Sequence, residues 1–114
     1  MEIKGDAYRV VYDDATGTVL FEGVLRLRGS AEYAPIGELL DEVARAAPKV
    51  VTLDLRELRF LNSAGIDMLL RFTIKMHKQA TRQVVIRGAA GIPWQGRSLP
   101  NFARLMPELE LKME

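Results

Sequence analysis

Leu53-Asp54-Leu55-Arg56-Glu57-Leu58-Arg59-Phe60-Leu61-Asn62-Ser63-Ala64-Gly65-Ile66 is the stretch that decides how this chain folds. It reads as a buried strand, a short connector and a polar Asn62-Ser63 pair that opens a helix. A helix N-terminus carries free backbone N–H groups and the positive end of a dipole. Asn or Ser placed there caps the helix by accepting from a first-turn N–H, worth about 1 kcal/mol. A hydroxyl at the same point is exposed and open to a partner. Just upstream, Val50-Val51-Thr52-Leu53-Asp54-Leu55 is nearly all apolar, the pattern of an interior strand covered on both faces. Asp54 is expected to bond neighbouring backbone, because no second carboxylate is placed by sequence to pair with it.

Downstream, the spacing predicts a helix from Ser63 to about Thr81. Ile66, Leu69, Leu70, Thr73, Ile74 and His77 make its wide, mostly apolar stripe. Asp67, Arg71, Lys75, Lys78 and Arg82 follow at spacings of 4, 4, 3 and 4, along one face. Two readings of that face stand side by side. One is a solvated surface with an Asp67–Arg71 pair worth about 0.3 kcal/mol. The other is a basic docking ridge that begins beside Ser63.

Further out, Tyr8–Tyr12 and Thr18–Leu25 read as a strand hairpin around the polar turn Asp13–Gly17. Gly23 marks a bulge or a close backbone approach. Ile36, Leu39, Leu40 and Val43 form one apolar stripe of a helix over Tyr33–Ala46, with Pro35 in its first turn and Pro48 as its stop. Gln83–Arg87 reads as a strand and Ala89–Arg97 as a loop. Ser98–Met106 reads as a short helix capped by Ser98, and Leu109–Met113 as a half-exposed edge strand. Trp94, in that loop, either folds back onto the core or anchors a partner. The order β-β-α-β-α-β-α-β predicts an α/β fold with a single, mixed, largely parallel sheet packed with helices.

Composition narrows the function. At 114 residues the chain is one domain, 1–114, with 48% hydrophobic and 27% charged residues. A net charge of +1 gives no field for nucleic acid. The absence of cysteine excludes disulfides and thiol catalysis, and His77 alone builds no metal site. The first residues lack a signal-peptide core and no apolar run reaches a membrane span, so a cytoplasmic protein is expected. No paired acid–base set or GxSxG turn points to an enzyme, and no cofactor is implied.

The junction Asn62-Ser63-Ala64-Gly65-Ile66 resembles the signature of STAS domains, the family of bacterial anti-sigma factor antagonists. In that family a strand ends in a pattern like Asp-Ser-Ser-Gly-Leu, and the residue before the glycine is the regulatory phosphoacceptor. Here that residue is Ala64, which has no hydroxyl. Ser63 stands one position earlier, rotated by about 100° on a helix, and is the remaining phosphorylation candidate. Where the family commonly shows Gly-Glu-Leu-Asp, this chain has Gly23-Val24-Leu25-Arg26, and Arg26 and Arg28 reverse the local charge. The resemblance implies a non-enzymatic, protein-binding regulator of bacterial partner switching, with a kinase-type anti-sigma factor or related regulator as partner. The expected partner surface comprises Arg26, Asn62, Ser63, Asp67, Arg71 and Lys75. The competing expectation is a small-ligand or nucleotide-binding module, because α/β sheets bind ligands beyond the carboxyl ends of their strands.

Overall fold

The computed structural model describes residues 1–46, 48–79 and 83–114. Strands β1 (Glu2–Lys4), β2 (Tyr8–Asp13) and β3 (Thr18–Leu25) lead to helix α1 (Gly29–Ala46). Strand β4 (Val50–Leu61), helix α2 (Ser63–Lys78), strand β5 (Gln83–Gly88), helix α3 (Pro93–Leu105) and strand β6 (Glu110–Met113) complete the order. The sheet runs β1-β2-β3-β4-β5-β6. Its first two pairings are antiparallel and the remaining three parallel. The α/β class and mixed sheet are as expected from sequence.

Strand order equals chain order, so the three crossovers all step in one direction. Right-handed crossovers then put α1, α2 and α3 on the same face. The register agrees. Val10 lies beside Phe21, Val19 beside Leu53 and Leu53 beside Ile86, all buried under the helices. On the other face Arg9 lies beside Glu22, and Asp54 beside Arg87. The apolar run Val50–Leu55 is therefore covered by helices on one face only. The second face is closed over Asp54 by ion pairs: Arg56 Nη2 stands 2.8 Å from its carboxylate, and Arg56 and Arg87 both reach Glu114. Asp54 also accepts from the Arg56 backbone N–H at 3.2 Å, the local bond expected of it.

Several boundaries differ from the sequence reading, each for a physical reason. β1 is an additional strand; three residues are too few to show a periodic signal. The segment Arg56–Leu61 is strand, not connector, so β4 reaches 12 residues. Its pairing with β3 slips twice, between Leu20 and Glu22 and between Gly23 and Val24. Those slips break the alternation that marks a strand in sequence. Gly23, expected as a bulge or a close approach, stands at the second slip, and a Cβ there would lie 2.1 Å from the Ala7 carbonyl oxygen; its φ of +90° also favours glycine.

α1 begins at Gly29, so Pro35 lies inside the helix rather than in its first turn. Its missing N–H would have bonded the Ala31 carbonyl, and both residues are exposed. In α2 the buried residues are Gly65, Leu69, Phe72, Thr73 and Met76, while Ile74 and His77 are exposed. The expected stripe is thus rotated toward α1. The expected end of this helix at Thr81 lies outside the described residues.

α3 begins at Pro93, five residues before the expected Ser98 cap, with the proline in its first turn. This change resolves Trp94 as a core residue, 5% exposed. The reason lies in β4. Its pairing with β5 ends at Asp54, so on that side the later carbonyls of β4 face no strand, while β3 still pairs along the other side. α3 supplies the missing donors. Trp94 Nε1 donates to the Leu58 carbonyl at 2.9 Å. Gln95 Nε2 donates to the carbonyls of Leu55 and Leu58 at 2.6 and 3.0 Å. Gln95 Oε1 accepts from the Ala89 N–H at 2.7 Å, so this fully buried amide is engaged at both ends.

Gln95→Leu keeps the volume but orphans Leu55 O and the Ala89 N–H; a loss of about 2–3 kcal/mol is expected in urea denaturation. Asp54 gives a pH signature. The Arg56 guanidinium hydrogen-bonded to its carboxyl holds that group below its ordinary range. The resulting stability is fully present above the unfolded-state value of about 3.9 and is lost as pH falls through the lower folded value. The stability gap between the native chain and Asp54→Asn is therefore expected to be larger at pH 7 than at pH 3.

Candidate functional site

β4 ends at Leu61 and α2 starts at Ser63, leaving Asn62 at the junction. Asn62 is the N-cap: its Oδ1 accepts from the Gly65 N–H at 3.1 Å. The same oxygen accepts from the Tyr33 hydroxyl of α1 at 2.7 Å. Its Nδ2 donates to the Leu27 carbonyl at 2.8 Å, and its backbone N–H donates to Leu25 O at 3.2 Å. One half-buried residue thus joins the end of β3 through its backbone, and through its side chain the segment leading to α1, the second turn of α1 and the first turn of α2. Burial, first among the causes, raises the Tyr33 hydroxyl above its ordinary value, so it remains a donor at neutral pH. Gly65 is required here, since a Cβ would meet Leu61 at 2.2 Å and the Tyr33 hydroxyl at 2.7 Å.

From this fixed end α1 and α2 run side by side in the same direction, and a groove of about 410 Å³ opens between them. From Ala64 to Lys75 it is about 16 Å long at the helical rise per residue. Tyr33, Leu40, Met68 and Phe72 supply apolar lining. The rim is charged but internally paired. Arg71 Nε lies 2.8 Å from the Asp67 carboxylate along α2, and Lys75 Nζ lies 3.2 Å from Asp41 across the groove. These pairs are half-exposed or more and contribute little stability individually.

The structure brings Asp67, Arg71 and Lys75 together on this groove, with Ala64 at its Asn62 end. Ser63 is exposed as the first residue of α2 and does not cap it; that role belongs to Asn62. Arg26 lies on the segment after β3, exposed, with its guanidinium 4.5 Å from the centre of the Phe60 ring. Lys78 is exposed at the far end of α2, and Arg82, named with the ridge, lies outside the described residues. The α1 wall, with Tyr33, Gly37 and Asp41, was not anticipated from sequence. The available signal was the spacing of residues 30, 34, 37 and 41, which share one helical face opposite residues 64, 68, 71 and 75. Among the described residues, no group of three or more His, Asp or Glu side chains is gathered to hold a metal, and no helix is long and apolar enough to cross a membrane.

The profile of the family described as Mlab, STAS domain matches residues 16–111. The chain belongs to the STAS domain family. No curated protein matches this STAS chain significantly. Among solved structures it is similar to SiaC of Pseudomonas aeruginosa, with a TM-score of 0.73 and 17% identity over 100% of this chain and 96% of that one. A chain in the crystal structure of the diguanylate cyclase SiaD in complex with its activator SiaC, from the same organism, gives 0.72 and 17% over 99% and 97%. An anti-sigma factor antagonist from Mycobacterium paratuberculosis gives 0.64 and 20% over 96% and 88%. At these identities the likeness is one of fold, and it spans the whole STAS domain.

The different duties of the two junction residues are measurable. Asn62→Ala removes the cap, leaves Leu27 O short of a donor and leaves the Tyr33 hydroxyl only its longer bond to Leu25 O at 3.3 Å; a loss of about 2 kcal/mol is expected. Ser63→Ala is expected to stay within about 0.5 kcal/mol, because its side chain is exposed. Chemical denaturation of both variants checks the contrast.

Proposed function

We propose that this chain is a non-enzymatic regulatory module of a bacterial partner-switching pathway, and that it works by binding a second protein at the α1–α2 groove and the adjoining start of α2. A kinase-type anti-sigma factor, or a regulator of comparable role, is the class of partner. One observation carries the reading. Asp67, Arg71 and Lys75 form one wall of an open groove that begins at Ala64, the position the family resemblance assigns to the phosphoacceptor. A partner surface there would be read by shape and by the rim charges. The solved structures with this fold include an activator bound to its enzyme and an anti-sigma factor antagonist, which supports a binding role over catalysis.

Ala64 offers no hydroxyl, so the switch does not run through phosphate at that residue. Binding is then constitutive or governed by abundance. Arg26 and Arg28 add positive charge beside the junction, which favours a partner that is acidic there and disfavours one shaped for an acidic loop. The groove is in the size range of small-molecule sites, about 300–1,000 Å³. Such sites also carry a few polar groups that converge on the ligand. Here the Tyr33 hydroxyl is bound to Asn62 and the rim charges to one another, which favours protein over nucleotide.

The test is charge reversal. Arg71→Glu with Lys75→Glu places like charges beside Asp67 and Asp41, at a cost of about 0.5 kcal/mol each at exposed sites. The double variant is expected to fold and to bind the purified partner at least about tenfold more weakly. Unchanged binding would move the interface elsewhere. Phosphosite mapping after incubation with the cognate kinase is expected to find no phosphate in this chain. Stoichiometric phosphate on Ser63, lost in Ser63→Ala, would overturn the constitutive reading. A thermal-shift screen with nucleotides is expected to be flat.

A further inference from the structure

Gly37 stands in the middle of α1, where glycine is a poor choice because it adds chain entropy and contributes no packing. Nothing in the chain requires it. Its backbone is ordinary helix, and a Cβ built on it meets no heavy atom within 4 Å. By contrast, Gly23 and Gly65 are held by close neighbours. The space that Gly37 leaves empty is the α1–α2 groove, which it lines.

The groove is bridged near both ends. At one end the Asn62–Tyr33 hydrogen bond ties the helix starts together. At the other, Lys75 reaches across to Asp41. A single side chain entering between these two ties disturbs neither. Two acidic and two basic residues, Asp41, Asp67, Arg71 and Lys75, balance at the rim, so a charged side chain gains nothing by entering. No buried side-chain nitrogen or oxygen among the described residues lacks a hydrogen-bond partner, so no polar occupant is invited.

We infer that Gly37 is a specificity-determining residue: it keeps the centre of the groove open for one bulky apolar side chain, aromatic or long aliphatic, presented by the partner protein. This rests on the protein-binding reading above and names the chemistry of the contact. A single large apolar anchor seated in a pocket, surrounded by peripheral contacts that keep water out once the partner is bound, is the usual form of an interface hot spot.

The experiment compares the full chain with Gly37→Met, which fills the groove from within, and Gly37→Ala, which adds one methyl group. Both are expected to unfold at or above the native temperature, because each replaces a helix-interior glycine without a clash. In amide-shift titrations, N-acetyl-tryptophanamide is expected to give saturable shifts at Ala34, Gly37, Ala64 and Phe72, and N-acetyl-asparaginamide none. The shifts should weaken at least about tenfold in Gly37→Met and by a smaller factor in Gly37→Ala. Absence of shifts with the apolar probe, or shifts undiminished in Gly37→Met, overturns the inference. If Gly37→Met fails to fold, Gly37→Ala carries the comparison, and undiminished probe shifts in it count against the inference. With the purified partner, loss of binding in both Gly37→Met and the Arg71/Lys75 reversal supports it. Loss in the charge reversal alone overturns this inference and leaves the binding reading standing. Loss in neither overturns both.

Discussion

The side-chain amide of Asn62 is the point from which the helix layer is set. An amide has a donor and an acceptor side, and both are in use: the acceptor holds the first turn of α2 and the Tyr33 hydroxyl, the donor holds Leu27 O. Neither serine nor aspartate could replace it. Either one caps a helix, but serine is too short to reach both walls and aspartate has no donor for Leu27. The position is therefore fixed by more than helix capping. α1 and α2 each rest on the sheet, but their mutual setting at the groove's head depends on this residue, and so does the placement of Ala64 beside the opening.

The last part of β4 sets a comparable constraint on the side away from β3. β4 outruns its neighbour β5, and an unpaired run of strand in the interior would leave buried carbonyls without donors. α3 starts early, at Pro93, so that Trp94 and Gln95 arrive where those carbonyls are. The sequential strand order leaves the far face of the sheet without helices, and ion pairs over Asp54 cover it instead. Stability is thus built unevenly: a dry helix face that carries the core, and a charged face whose pairs are sensitive to pH and salt.

Much of this was legible in the sequence. The alternation of strands and helices, the Asn62 cap, the Gly23 bulge and the face shared by Asp67, Arg71 and Lys75 are local properties, fixed by residues a few positions apart. What stayed hidden is long-range. Trp94 and Gln95 looked like loop residues because their partners, Leu55 and Leu58, are nearly forty positions away. The rotation of the α2 stripe, which buries Phe72 and Met76 in place of Ile74 and His77, depends on how α1 lies beside it. The α1 wall was missed because Gly37 and Asp41 carry no signal until α2 is set opposite them. Arg56–Leu61 escaped as strand because two register slips erase its alternation.

The two outer strands bear on how the molecule behaves in a crowd. β1 has three residues and β6 has four, and each alternates charge into its edge, Glu2 and Lys4 on one side, Glu110 and Lys112 on the other. An open sheet ordinarily invites another chain to extend it, but edges this short and this charged give a stray strand little to pair with. Lateral growth is discouraged at both margins, while the helix layer keeps an apolar opening. The margins and the helix layer are thus finished in opposite ways, charge along the edges and an uncovered apolar groove between α1 and α2.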